Sequence, residues 1–123
     1  VIYMVSRFEI EKLWREEKYK VMYFSQRHYN LIRELLKGDP SMEELESYIQ
    51  EAYSLMPTKG SKTNAYEHMW GYFKKCATAE EKKKFFTLLE HAEDDQVIKI
   101  YLYDLAKKYK VKYLTDSTIL NGK

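Results

Sequence analysis

Apolar residues recur at three- and four-residue steps over most of the chain, so the pattern predicts helices. In residues 8–37, Ile10, Leu13, Trp14, Val21, Phe24, His28, Leu31, Ile32 and Leu35 fall on one stripe, and no Gly or Pro interrupts it. This predicts a single long helix of roughly 45 Å at ~1.5 Å per residue, with a break expected near 16–18. Gly38-Asp39-Pro40 stops it, because Gly suits a left-handed cap and Pro cannot continue the ladder. Ser41-Met42-Glu43-Glu44 is a capping box. It predicts a second helix over 42–55 with Met42, Leu45, Tyr48, Ile49, Ala52 and Tyr53 inward.

After a loop over 56–62, a third helix is expected to end near 76–77. Its cap is either Asn64 with Glu67 or Ser61 with Asn64. Thr78-Ala79-Glu80-Glu81 opens a fourth, with Phe85, Phe86, Leu88, Leu89 and Ala92 inward and Lys82, Lys83 and Lys84 outward. Glu93-Asp94-Asp95 breaks it and can cap a fifth, whose apolar face holds Val97, Ile98, Tyr101, Leu102, Leu105, Ala106 and Tyr109. Alternation over 97–103 also fits a strand, but the length and the Asp104–Lys108 continuation favour helix. Residues 111–120 are short and β-branched, hence irregular or a last helical turn, and 1–7 are expected as an irregular extension. The sum is an all-α, single-domain bundle of about five helices over 1–123, led by a long N-terminal helix.

Composition narrows the class. The chain has 123 residues, 45% hydrophobic and 15% aromatic, enough for one core and too apolar for disorder. Four Gly and two Pro disfavour a turn-rich β protein. One cysteine, Cys76, excludes an internal disulfide and suits a reducing, cytoplasmic setting. No apolar run approaches the ~20 residues that span a bilayer, and the opening Val1-Ile2-Tyr3-Met4-Val5-Ser6-Arg7 is too short for a signal peptide, so no membrane partner is expected.

The stretch 57–75 concentrates the candidate chemistry. Asn64, His68 and Tyr72 stand at i, i+4 spacing and would share a helix face. Gly71 between Trp70 and Tyr72 predicts the close approach of another backbone or a ligand, since Gly inside a helix costs roughly 1 kcal/mol against Ala. Lys59-Gly60-Ser61-Lys62-Thr63-Asn64 brings two lysines, hydroxyls and backbone N–H groups to a helix N-terminus, a setting that binds anions. It is not a Walker A sequence. Net charge is only +2, but it is segregated. Residues 39–57 hold only acids, whereas 58–84 hold Lys59, Lys62, Lys74, Lys75, Lys82, Lys83 and Lys84 against Glu67, Glu80 and Glu81. The basic half also carries Tyr66, Trp70, Tyr72 and Phe73, and lysines with exposed rings suit RNA. The competing reading is that the rings are core and the lysines merely solubilise.

Other chemistries find little support. Cys76 follows two lysines at a helix end, where the dipole disfavours a thiolate. His28, His68 and His91 lack a second His or Cys at chelate spacing, so neither a metal nor a cofactor is expected.

Three stretches together resemble the YbgA-like family, a domain family of uncharacterised function. They are 14–22 running on to Ser25-Gln26-Arg27-His28-Tyr29 and Ile32-Arg33-Glu34-Leu35-Leu36-Lys37; then Pro57-Thr58-Lys59-Gly60-Ser61-Lys62-Thr63-Asn64 with His68 and Gly71-Tyr72-Phe73-Lys74-Lys75; then 81–89 with Lys112-Tyr113-Leu114. The specific part is Thr63-Asn64, His68 and Gly71-Tyr72-Phe73. The resemblance implies an all-α domain found alone or fused behind a cysteine-rich desulfidase domain acting on thiolated uridine in tRNA. This domain would then hold the RNA. The chain lacks that partner's cysteines, carries Lys62 where many relatives have His, and carries 97–102 where they have a Pro-Leu-rich stretch.

The leading expectation is a non-catalytic module binding structured RNA such as tRNA. Lys59, Lys62, Lys74, Lys75 and Arg27 would meet phosphates, beside Thr63 and Tyr72, while Asn64, His68 and Trp70 orient or stack a base. The alternatives are a protein-interaction domain docking onto a desulfidase-like partner, a small enzyme centred on His68 with Asn64 and Tyr72, and a purely structural role for Asn64 and His68.

Overall fold

The computed structural model describes residues 6–122, and every described element is helical. Helix α1 (Arg7–Phe24) starts earlier than the expected extension allows. Ser6 caps it, its hydroxyl accepting from the Glu9 N–H at 3.3 Å. Of the extension assigned to 1–7, residues 1–5 lie outside the described residues. Helix α2 (Gln26–Leu35) follows α1 after the single residue Ser25. The long stripe is therefore broken, at Ser25 rather than near 16–18. Ser25 is extended (φ −161°, ψ 108°) and serves two helices. Its N–H closes α1 onto the Val21 carbonyl at 2.8 Å, and its Oγ accepts from the His28 N–H at 3.1 Å. A serine hydroxyl competes with the helical ladder in this way, which is why the break sits there. Arg7 ties the start of α1 to the end of α2 by donating to the Leu36 and Gly38 carbonyls.

The Ser41/Glu44 box opens α3 (Met42–Tyr53) and the Thr78/Glu81 box opens α5 (Ala79–His91), both as the sequence predicts. Between them lies α4 (Lys59–Trp70), continued by a 3-10 turn over Gly71–Phe73. Helix α6 (Gln96–Lys108) resolves the strand-like alternation as helix. It ends in a Schellman motif: the Val111 N–H reaches the Ala106 carbonyl, the Lys110 N–H reaches Lys107, and Lys110 takes a positive φ of 57°. Two one-turn helices follow, α7 (Lys112–Thr115) and α8 (Thr118–Asn121). The expected five helices thus become eight among the described residues, because α1 and α2 separate and 112–121 folds as two turns.

Helix α1 is the spine, packed along α4 and against α3, α2 and α8. One core joins its Tyr19, Met22 and Tyr23 to Tyr66, Met69, Trp70 and Phe73 of the α4 region and to Phe85, Leu102 and Leu105. A second joins Ile10, Trp14 and Val21 to Ile32, Leu45 and Ile49. Each large side chain so buried contributes about 1.5–3 kcal/mol.

Candidate functional site

The loop before α4 is set by a capping box upstream of both predicted ones, its cap Thr58 three residues before Ser61 and six before Asn64. Thr58 Oγ1 accepts from the Ser61 N–H at 3.0 Å, and the Thr58 N–H donates to Ser61 Oγ at 2.9 Å. Lys59, Gly60 and Ser61 therefore form the first helical turn, and Asn64 is released from capping. Asn64 instead reaches across to α2: its Nδ2 donates to Gln26 Oε1, and Gln26 Nε2 donates to Asn30 Oδ1 at 3.2 Å. This amide chain fixes how α4 sits beside the start of α2.

Between the two helices lies an open cavity of about 670 Å³. Ser25, Gln26, Thr58, Gly60, Asn64 and His68 line it. The amino ends of α2 and α4, marked by the caps Ser25 and Thr58, thus share one hollow. No carboxylate is among the lining residues. His68 is exposed, and its side chain makes no hydrogen bond to a described residue. Uncapped N–H groups at two helix amino ends make such a hollow attractive to anions.

Not every residue singled out in 57–75 belongs there. Lys59 is exposed at the first position of α4, and Arg27 is exposed beside Gln26. Thr63 is half-buried. Lys62 lies one turn on, with its Nζ 5.7 Å from the centre of the Tyr23 ring. Trp70 cannot stack a base: it is 2% exposed, and its ring lies flat on Phe85, centroids 4.7 Å apart and planes 7° apart. The helical period turns Tyr66, Trp70 and Phe73 to the same inward side, so the rings interleaved with lysines in the sequence are core on the molecule.

Tyr72 faces elsewhere. It packs on Tyr113 with centroids 5.7 Å apart and shares a 2.9 Å hydroxyl contact with Tyr19, so it does not join Asn64 and His68. Lys74 and Lys75 are exposed beyond the far end of α4, roughly 20 Å from Lys59 along the helix axis. Lys74 lines a separate hollow with Trp70, Lys82 and Phe86. The cations therefore form two groups at opposite ends of α4 instead of one surface. Gly71 has no close neighbour either, since a Cβ built on it meets nothing within 4 Å.

Several residues that local sequence did not mark stand close to the site. Asp95, expected as a cap for α6, makes no side-chain cap; its Oδ2 accepts from both the Tyr23 and Tyr66 hydroxyls at 2.7 Å. Burial pushes the Asp95 carboxyl up, but these two hydroxyls and the charges of Lys99 and Lys62 outweigh it and hold its pKa below the ordinary value. Burial, then the bond to Asp95, raises the pKa of both tyrosines. Lys99 lies over the Tyr23 ring at 4.7 Å, and Lys20 over the Tyr53 ring at 4.6 Å. These lysines come from α6 and α1, and only packing brings them together.

His28 is 1% exposed beneath the cavity's Ser25. Its Nδ1 is 2.8 Å from Ser25 Oγ, and its Nε2 is 3.2 Å from Glu51 Oε1, near enough for an ion pair but off the line of a hydrogen bond. The pattern Ser25-Gln26-Arg27-His28 was the sequence signal for this capped break.

Among the described residues no group of His, Cys, Asp and Glu could hold a metal ion, and no helix is long and apolar enough to cross a membrane. The cavity offers N–H donors, amides and nearby ammonium groups, but no titratable partner for His68 among its lining residues. Its chemistry is that of holding an anion. A family model described as "Protein of unknown function (DUF1722)" matches residues 18–122. No curated protein and no solved structure matches the chain.

Proposed function

We propose, for a chain that belongs to the DUF1722 family of proteins of unknown function, the role of a non-catalytic module that holds structured RNA by its phosphates. The observation that supports this most is the cavity with no lining carboxylate, where two helix amino ends meet; Arg27 and Lys59 are exposed next to its lining residues in the chain, and Lys62 stands one turn along α4. Phosphate contacts of this kind fix position on RNA without reading sequence. Stacking by the α4 rings plays no part in it. Lys74 and Lys75, at the far end, would meet a different stretch of the same backbone. The resemblance to the YbgA-like family narrows the RNA to tRNA and suggests service to a desulfidase-like partner. The chain would hold thiolated tRNA while that partner does the chemistry.

The test is a tRNA-binding titration across salt. If Arg27, Lys59, Lys62, Lys74 and Lys75 each neutralise one phosphate, log affinity falls with log salt at a slope of about −3.5 to −4.5. The double variant Lys59→Gln/Lys62→Gln should flatten that slope by roughly 1.5. No binding at low salt, or a slope near zero, overturns the reading. A docking role for a protein partner is the second reading. It draws on Val97 and Ile100, one turn apart on α6 and 43% and 53% exposed, and it predicts binding that salt barely changes.

A further inference from the structure

A second hollow adjoins the first. Phe24 lines both, while the consecutive residues Pro57 and Thr58 line one each. This hollow has a volume of about 360 Å³ and is built by α1, α6 and α8. Lys20 and Lys99 stand in its lining, their ammonium groups resting on the Tyr53 and Tyr23 rings. Phe24 and Ile119 give it an apolar wall. Gln96 adds an exposed amide with no side-chain hydrogen bond to a described residue. No carboxylate lines it. The nearby Asp95 uses the oxygen Oδ2 for Tyr23 and Tyr66.

No acid stands in the lining, and only Lys99 has the nearby Asp95 carboxylate acting on it, so the pair of cations favours an anion. An apolar wall with one amide calls for a flat, mostly apolar group carrying a polar edge. The volume lies at the small end of the ~300–1,000 Å³ typical of small-molecule sites. We infer that this hollow takes one nucleotide, its phosphate between Lys20 and Lys99 and its base against Phe24 and Ile119, with Gln96 at the base edge. The nucleotide is either an unpaired residue of a bound RNA, in which case the inference rests on the RNA reading above, or a free nucleoside monophosphate.

The experiment compares three probes: a fully paired RNA hairpin, the same hairpin with one bulged uridine, and uridine monophosphate. Each is titrated against the wild type, Lys20→Gln/Lys99→Gln, Gln96→Ala and Lys59→Gln/Lys62→Gln, with thermal melts confirming folding. Gln96→Ala, an exposed change, keeps the test open should the double lysine variant not fold. The bulged hairpin should bind about fivefold or more tighter than the paired one, the scale of one stacked base. That preference should vanish in Lys20→Gln/Lys99→Gln and shrink in Gln96→Ala. It should survive in Lys59→Gln/Lys62→Gln even as both hairpins weaken together. Uridine monophosphate binding lost in Lys20→Gln/Lys99→Gln, with no hairpin binding, upholds the pocket for a free nucleotide and ends the RNA reading. Equal affinity for the hairpins with no monophosphate binding overturns the pocket and leaves the RNA reading standing. Binding of none of the three overturns both.

Discussion

The junction of α1, α4 and α6 depends on one carboxylate, and removing its partners should show how much. Tyr66 is 1% exposed and Tyr23 7% exposed, and both donate to Asp95 Oδ2 at 2.7 Å. A hydrogen bond to a charged group contributes about 1.5–3 kcal/mol. Asp95 is half-buried and keeps Tyr23 when Tyr66 is changed, so Tyr66→Phe should cost about 1.5 kcal/mol, the lower end. Asp95→Ala strands two hydroxyls in the core at about 1–3 kcal/mol each, hence about 2–6 kcal/mol together. For a chain of this length about 1.5 kcal/mol corresponds to a fall in Tm of roughly 5–9 °C. The assay is urea unfolding of the wild type, both single variants and the double variant, read as a cycle. Once Asp95 is gone, Tyr66→Phe removes one of the stranded hydroxyls and should cost nothing or regain stability, leaving a coupling of at least about 1.5 kcal/mol. Strictly additive losses, or a Tyr66→Phe chain as stable as the wild type, would refute the account of this junction. The pH dependence has a definite sign. Asp95 is held below its ordinary pKa in the fold, so its contribution is complete above the unfolded value and drains away as pH falls through the folded one.

Two further outcomes are expected. Gly71→Ala should stabilise the chain by about 0.4–1 kcal/mol, since φ −51° and ψ −29° suit any residue and the new Cβ meets nothing within 4 Å; a loss of stability in thermal melts would reveal a contact the fold does not show. Glu81 is held down to about 2 by its bond to Lys108, then by the Tyr109 hydroxyl and the Thr78 N–H. The stability gap between wild type and Glu81→Gln should therefore be constant above pH 5 and close as pH falls from the unfolded value of 4.5 towards 2. A gap that persists at pH 2, measured by urea unfolding along a pH series, would contradict that assignment.

The parts of the fold legible in the sequence were those decided by neighbours. The Ser41/Glu44 and Thr78/Glu81 boxes sit where the pattern placed them, because both partners of each cap lie within one turn. Helix α2 does stop ahead of Gly38 and Pro40, but not by the left-handed glycine cap expected: its cap is Leu36 in right-handed backbone, and Gly38 has no positive φ. The break at Ser25 and the start of α4 were harder. The start of α4 offered Thr58, Ser61 and Asn64 at three-residue steps as capping acceptors, while Ser25 stood in an apolar stripe with no Gly or Pro beside it to mark a break. At Asp95 the expected cap is forgone for two tyrosines from other helices. Of the residues singled out in the sequence, Lys59 and Lys62 lie in the first turns of α4, Asn64 at its middle and His68 in its last turn. Trp70 is core, Tyr72 packs on Tyr113, and Lys74 and Lys75 lie beyond the far end of α4. Nearness along a helix scatters residues around its axis and over its length, so lysines and rings adjacent in the sequence need not share a surface. Lys20 and Lys99 are separated by most of the chain, and no local pattern could join them.

The claim on which the account turns is that RNA phosphates settle where the amino ends of α2 and α4 meet. The most direct measurement is a backbone amide NMR titration of the labelled chain with unlabelled tRNA at low salt. Shifts concentrated in residues 25–27 and 58–68, and reversed by added salt, are expected. Shifts confined to the acidic outer face of α3 or to Val97 and Ile100, or none at all, would contradict it.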